Sequence, residues 1–348
     1  MNPFAYERAT APEGAVHSLA ADKNAKLLGG GTNLVDLMKQ DVERPSTLID
    51  ITRLSALAHI EAVEGGHRVG ALVRNSDLAN DGDVRKTYPL LSQALLAGAS
   101  AQLRNLATTG GNLMQRTRCY YFYDSALPAC NKRAPGSGCG AVEGFNRVHA
   151  VLGQTDEGPA GAHTCIATNP SDMNVALAAL HAVVEISGPK GKRTMPVREF
   201  HRLVGKTPQL DTNLQHDELI TGVHLPASAA KFAANSYYLK ARDRQSYAFA
   251  LVSVAAGLEM DGGSIKSVAL ALGGVAHKPW TSEAAEKAMI GKPATEETFK
   301  AAAAAAMQGA KGYEHNAFKI ELAKSCIVRA FTLAAQGTGN HGAEGAAA

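Results

Sequence analysis

The chain has 348 residues, of which 45% are hydrophobic and 19% charged, and its formal net charge is +3. That length allows two or three domains with cores of their own, while so small a charge without any Lys/Arg run excludes a nucleic-acid role. No apolar run approaches the roughly 20 residues of a membrane span, and Met1 to Arg8 lacks the basic and apolar regions of a signal peptide, so the chain taken alone is expected to be cytoplasmic.

In chain order, the first 60 residues read as a small α/β unit with helices over 14–19 and 35–39 and strands over 25–28 and 47–51. Between the first strand and the second helix lies Lys26-Leu27-Leu28-Gly29-Gly30-Gly31-Thr32-Asn33-Leu34. Three glycines let the backbone turn with positive φ and come close to a ligand. Their N–H groups can form an anion-binding concavity, Thr32 and Asn33 add donors, and the helix that follows faces the same anion. The spacing is not GxGxxG, so a Rossmann site is not implied; a tight glycine turn without a ligand is the plain alternative. Thr108-Thr109-Gly110-Gly111-Asn112-Leu113 repeats the hydroxyl, glycine pair and carboxamide after a long helical stretch. Two such turns could grip one diphosphate from both sides, which makes a dinucleotide cofactor the leading reading. Gly30→Val is then expected to block uptake by clashing with the diphosphate.

Strands over 58–62 and 67–72 flank Glu64-Gly65-Gly66 as a hairpin. Helices follow from Leu78 and over 88–97, broken at Asp81-Gly82-Asp83. From Arg116 to about Gly161 the sequence loses any clean period, and a loop of about fifty residues inside a compact domain needs a functional reason or disorder. Cys119, Cys130, Cys139 and Cys165, four of the five cysteines, lie in or at the edge of it, with gaps of 10, 8 and 25 residues. These gaps match no short zinc-ribbon spacing, and metal or redox chemistry is expected before disulfides. Four thiolates can hold a 4Fe-4S cluster wrapped by a loop, with zinc and free or disulfide thiols as the other readings. The aromatic run Tyr120 to Tyr123 would shield such a cluster, and Lys132, Arg133 and Arg147 would offset its charge. Cys326 reads as a buried helix thiol.

Asn169-Pro170-Ser171-Asp172 then caps a helix over 173–181, strands over 182–186 and 193–196 pair through a Gly188 to Gly191 turn, and 218–225 is a further strand. Beyond 232, three antiparallel strands over 237–242, 249–260 and 265–272 precede helices near 280–288, 296–308 and 316–335, an α+β domain starting near 227. The tail over 337–348 is expected to be flexible. No histidine stands in an HExxH or triad-like context. No catalytic acid or base is assigned, and His277 reads as a loop hydrogen-bonding residue. On the residues alone, Asp172 reads as a helix cap, Ile220 as strand core and Lys240 as a solvated charge.

Together, the stretches 26–34, 108–113, 169–172, 218–220 and Lys240-Ala241-Arg242 resemble the flavin-binding medium subunit of the xanthine dehydrogenase family of molybdenum hydroxylases, over residues 4 to about 335. That family runs from its GGNL element into its NPSD element with few residues between; here 114–168 is inserted and holds the four clustered cysteines. The insertion is similar to that of the FAD and 4Fe-4S subunits of periplasmic aldehyde oxidoreductases in the same family. A 4-hydroxybenzoyl-CoA reductase-like or xanthine dehydrogenase-like flavin subunit is the alternative within the family, and a stand-alone flavoprotein oxidase of the vanillyl-alcohol type the alternative outside it.

The resemblance implies an α+β chain: a PCMH-type (vanillyl-alcohol-oxidase-like) FAD-binding domain over 1–226, made of two α/β subdomains (about 1–56 and 57–226), and a C-terminal α+β domain over 227–336 with a three-stranded antiparallel sheet and a helix bundle. It implies FAD at Lys26, Leu27, Leu28, Gly29, Gly30, Gly31, Thr32, Asn33, Leu34, Thr108, Thr109, Gly111 and Asn112, with Asp172 on its adenosine side, Ile220 packed against it and Lys240 reaching the flavin ring. It implies a 4Fe-4S cluster on Cys119, Cys130, Cys139 and Cys165. It also implies a heterotrimer that oxidises aldehydes: a molybdenum-cofactor large subunit, a 2Fe-2S small subunit that passes electrons to the FAD here, and an external electron acceptor. A periplasmic address by co-export with a signal-bearing partner is implied with it.

Overall fold

A computed structural model of the protein describes residues 1–154 and 163–339. The chain opens with β1 (Ala5–Arg8), α1 (Pro12–Ala21), β2 (Lys26–Leu28), α2 (Leu34–Lys39) and β3 (Thr47–Asp50). The three strands form a parallel sheet in the order β1-β3-β2. Parallel neighbours need a crossover connection, and α1 and α2 supply it. Pro12 stands in the first turn of α1, where its missing N–H costs nothing, and Ala15, Val16 and Leu19 pack with Ile49 and Ile51 into a small core. The sequence pattern leaves β1 unmarked because all four of its residues are exposed and no apolar alternation betrays it.

A second sheet takes the order β4-β5-β8-β6-β7 and is antiparallel throughout. Its hairpin β4 (Ile60–Val63) and β5 (Gly66–Gly70) is followed by α3 (Asn75–Asn80), α4 (Gly82–Thr87) and α5 (Pro89–Ala97). Asp81 supplies the expected break, its carboxylate accepting from the N–H groups of Asp83 and Val84. Short helices α6 (Ala101–Arg104), α7 (Thr109–Leu113), α8 (Tyr120–Tyr123) and α9 (Gly140–Glu143) come next, then α10 (Asp172–Ala179), β6 (Val183–Gly188), β7 (Gly191–Pro196), α11 (Val197–Phe200) and β8 (Leu219–Pro226). The long irregular segment thus contains two single-turn helices, and its stretch 155–162 lies outside the described residues.

The C-terminal sheet has β10 (Val252–Asp261) between β9 (Ser236–Ala241) and β11 (Ser264–Gly273). Its two faces differ in size. Val252, Val254, Leu258, Leu270 and Leu272 pack under α13 (Glu296–Ala306) and α14 (Phe318–Ala335), with α12 (Glu283–Met289) beside them. On the other face Ala255, Ala269 and Ala271 join the core of the five-stranded sheet, which α10 enters. Small side chains on both partners let this helix be buried on all eight residues. The tail departs from expectation at its start: the Thr338 N–H donates to the Ala234 carbonyl (2.8 Å) and Thr338 Oγ1 accepts from the Ser236 N–H (2.8 Å). The rest of it, from 340, lies outside the described residues.

Lys319 in α14 is fully buried, and its ammonium donates to the carbonyls of His149 (2.8 Å) and Gly274, pinning the irregular segment to the C-terminal domain. Burial lowers its pKa to about 7, against about 10.4 in an unfolded chain. Between those values the unfolded state binds the extra proton, so this group makes stability rise with pH across the window. Denaturant titrations from pH 7 to 10 should show wild type gaining stability relative to Lys319→Met; parallel profiles would remove the assignment.

Candidate functional site

At the carboxyl end of β2 the chain turns through Gly29, Gly30 and Gly31 and lies directly against residues 106–108. A Cβ added at Gly30 would sit 2.0 Å from the Leu106 carbonyl oxygen, and one at Gly29 would sit 3.0 Å from Thr108 Oγ1. Gly31 adopts a φ of +72°, where only glycine is unstrained. The two glycine motifs therefore meet, 80 residues apart in sequence, through backbone that has no room for side chains. The second motif is the start of α7, capped by Thr108 Oγ1 accepting from the Gly111 N–H (3.2 Å), and it follows a helical stretch that the structure divides into α3 to α6, the last of them four residues long. A substitution at Gly30 collides with protein backbone before any ligand is considered.

Beside this junction opens a cavity of about 410 Å³, within the usual size of a small-molecule site. Lys26, Leu27, Gly29, Gly30, Gly31, Thr32, Asn33, Leu34, Thr108, Gly111 and Ile220 line it, so eleven of the sixteen residues expected at a cofactor are brought together. Leu28, Thr109 and Asn112 are not on its wall. The Thr109 hydroxyl donates to the Val73 carbonyl (3.0 Å), and Asn112 Oδ1 accepts from the Ser171 hydroxyl (2.7 Å), tying α7 to the start of α10. Leu19, Ala25, Ile51, Leu72, Leu214 and Leu219 give the cavity a long apolar flank. Glycine backbone at one end and an apolar flank along the side fit a diphosphate with flat aromatic groups attached.

Sequence reasoning missed the charged wall of Glu43, Arg116 and Asp211. Arg116 Nη1 donates to Glu43 Oε1 (2.5 Å) and its Nε donates to Asp211 Oδ2, while Lys132 Nζ donates to Asp211 Oδ1 (2.5 Å). Burial opposes ionisation of Asp211, but Lys132 and Arg116 outweigh it and hold the carboxyl well below the usual carboxylate range. The only signal was an isolated charge at the head of an irregular segment; its partners stand 73 and 95 residues away.

Asp172 and Lys240 meet each other away from that cavity. Lys240 Nζ donates to Asp172 Oδ2 (2.8 Å) and to the Ala97 carbonyl (3.0 Å), and the Tyr238 hydroxyl donates to Asp172 Oδ1 (2.8 Å). Both are buried, so Lys240 is no solvated charge; the cap of α10 is Ser171 rather than Asp172.

The cysteines form a second centre. Cys119, Cys130 and Cys165 are buried with Leu37, Phe122, Ala167 and Val204, Cys139 is partly exposed, and none is in a disulfide. Cys130 and Cys139 face each other across an isolated bridge, and the Cys119 thiol feels the other three. Burial raises Cys119 and Cys165 to about 12. His149 Nε2 lies 3.1 Å from Cys119 Sγ and His277 Nε2 3.3 Å from Cys165 Sγ. Among the described residues no three His, Cys, Asp or Glu side chains converge as a single-ion site. Four free, mostly buried thiols in one loop are the kind of donor set that a 4Fe-4S cluster takes. Of the cations expected to offset such a charge, only Lys132 is placed to do so, acting on Cys165. Arg133 instead donates to the carbonyls of Tyr121, Phe122, Asp124 and Leu127, and Arg147 pairs with Asp243. The shield of aromatics is uneven too: Phe122 is buried, while Tyr120 is exposed.

Residues 2–228 match the family described as FAD binding domain in molybdopterin dehydrogenase, and residues 236–334 match the CO dehydrogenase flavoprotein C-terminal domain. The chain is an FAD-binding medium subunit of the molybdenum hydroxylase family. Over 330 residues, 94% of this subunit and 96% of the relative, it is 50% identical to the aldehyde oxidoreductase FAD-binding subunit PaoB of Escherichia coli. It is 27% identical to the glyceraldehyde dehydrogenase medium chain of Sulfolobus acidocaldarius, covering 85% of this chain and 84% of that one. Among solved structures, a carbon monoxide dehydrogenase chain from Hydrogenophaga pseudoflava superposes with a TM-score of 0.74 at 26% identity, covering 97% of this chain and all of that one. As an oxidoreductase subunit, the FAD-binding subunit has a glycine junction whose geometry makes a direct prediction. Gly30→Ala should lose bound flavin and cost about 1–3 kcal/mol of stability through backbone overpacking; the 450 to 280 nm absorbance ratio and a urea titration report both, and a yellow variant of wild-type stability would refute the contact.

Proposed function

We propose that this subunit is the FAD- and 4Fe-4S-carrying electron-transfer subunit of a heterotrimeric, molybdenum-dependent aldehyde oxidoreductase. The observation that carries the reading is the pairing of the two glycine motifs around one cavity with a separate centre of four unpaired cysteines. The 50% identity to an aldehyde oxidoreductase subunit along nearly the whole chain supports aldehydes as the substrate class of the complex. In this reading the diphosphate of FAD lies on Gly29 to Asn33 and the start of α7, where backbone N–H groups meet it, and Leu27, Leu219 and Ile220 pack the apolar parts. FAD supplies the two-electron chemistry when bound; the chain orients it and sets the charge around it. Asp172 and Lys240 act through the joint they form between α10 and the C-terminal sheet. Cys119, Cys130, Cys139 and Cys165 hold the 4Fe-4S cluster. Electrons arrive from 2Fe-2S clusters on a small partner, after substrate oxidation at molybdenum on a large one, and leave to an external acceptor. The address proposed is the periplasm, reached by co-export with a signal-bearing partner, and no helix among the described residues is long and apolar enough to cross a membrane.

Purification of the native complex with metal analysis, a visible spectrum and flavin released on heating tests the whole reading. Wild type should carry FAD and, beyond the iron of the small partner's 2Fe-2S clusters, about four irons for each copy of this chain, and Cys139→Ser should lose those four while keeping its flavin domain folded by circular dichroism. Retention of those four irons in Cys139→Ser would show that the ligand assignment is wrong, and a colourless wild type would sink the reading altogether.

A further inference from the structure

The two centres share one wall. Asn33, in the glycine turn, accepts from the Arg116 backbone N–H through its Oδ1 (2.7 Å), and its Nδ2 donates to the Tyr123 hydroxyl (3.2 Å). Helix α2 leaves that turn and buries Leu37 among Cys119, Cys130 and Cys165. Around them runs an alternating line of charges. Lys26 pairs with Glu43 (3.7 Å), Glu43 with Arg116, Arg116 with Asp211, and Asp211 with Lys132, which reaches the Cys165 thiol electrostatically. Lys26, Glu43, Arg116 and Asp211 all line the cavity; Lys132 belongs to the cysteine loop.

We propose that Arg116 is a positioning residue which fastens the cysteine loop to the FAD cavity, so that FAD is retained only while the loop is closed around a filled thiol site. The inference rests on the cluster reading above for what fills the thiols, and on the ion-paired geometry alone for the joint. Arg116 suits this place because its planar guanidinium reaches two carboxylates at once, Glu43 from the α2–β3 connection and Asp211 from the segment before β8, with Gln209 O also within reach (3.4 Å). An ammonium can satisfy only part of that fork. Opening the loop therefore removes the backbone donor to Asn33, the Arg116 guanidinium from between its two carboxylates in the cavity wall, and the packing of Leu37 in one movement, and the FAD turn loses its outer support. The two centres are coupled in the thermodynamic sense: whatever stabilises the closed loop tightens FAD, and bound FAD protects the metal.

The experiment uses the full chain and reads FAD affinity by flavin fluorescence and iron content by colorimetric assay. Chelating the iron from wild type under reducing conditions should weaken FAD binding by about tenfold or more, and restoring iron and sulfide should recover it. Arg116→Met should show the weakened affinity with its iron still bound, and chelation should weaken it no further; Arg116→Lys should recover part of the affinity. Should Arg116→Met fail to fold, Glu43→Gln cuts the same joint from the other side while leaving the Asp211 pair intact. Unchanged FAD affinity on iron removal, or wild-type affinity and iron dependence in Arg116→Met, overturns the proposal while leaving the cluster in place. A wild-type chain that never holds iron removes the cluster reading instead, and the joint then stands or falls on the FAD affinity of Arg116→Met.

Discussion

The structure depends on a close approach between two pieces of main chain. Gly29 and Gly30 lie so tightly on residues 106–108 that the Leu106 carbonyl occupies the place of a side chain. That contact joins the parallel unit to the antiparallel one, and it shapes the end of the cavity where a diphosphate fits. Glycine is entropically costly in the unfolded chain, so three in succession are retained where only their absence of bulk serves. The end of the cavity and the packing of the two subdomains are therefore one feature.

Behind the site, rigidity comes from α10. The helix is buried on every residue, packed against α5 and the alanine face of the C-terminal sheet in one core with apolar residues of the five-stranded sheet. Its first residue, Asp172, is locked by Tyr238 and Lys240, and the Ser171 just before it holds Asn112 at the second glycine motif. A buried ion pair contributes little net stability but is costly to break on one side. Here it fixes where the C-terminal domain sits relative to α7, and through α7 it bears on the cavity. Asp172 and Lys240 can thus bear on the shape of a cavity they do not line.

Much of this was legible in the sequence, and the limits have physical causes. Elements with an amphipathic face or a clear turn between strands appear within a few residues of where the pattern puts them, as α5, the β6–β7 hairpin and the C-terminal strands do. The cavity could be placed because runs of glycine beside a carboxamide mark a turn in the sequence itself, before their distant partners are known. What could not be read depends on partners distant in sequence. Arg116 and Lys132 look like loop charges until Asp211 is folded onto them. Lys240 carries the surface signature of any lysine until burial pairs it with Asp172. Strand β1 has no buried face at all, so hydrophobic periodicity had nothing to report.

The cysteine segment shows the same point from the side of the backbone. A stretch with few ladder hydrogen bonds must satisfy its carbonyls and N–H groups by other means. Here side chains take that part. Asn131 is fully buried, its Oδ1 accepting from the N–H groups of Gly136 and Gly138 and its Nδ2 donating to the Thr164 carbonyl. Asn146 donates to the carbonyls of Ala141 and Gly144, and Arg133 gathers four more. Amides and guanidinium groups that a composition count would assign to solvent are the framework that holds the four thiols in one place. Because each such bond replaces a ladder bond, the loop's shape is specified residue by residue rather than by a repeating pattern. A loop built in this way can place cysteines at wide, uneven gaps, which is why no spacing rule identifies them.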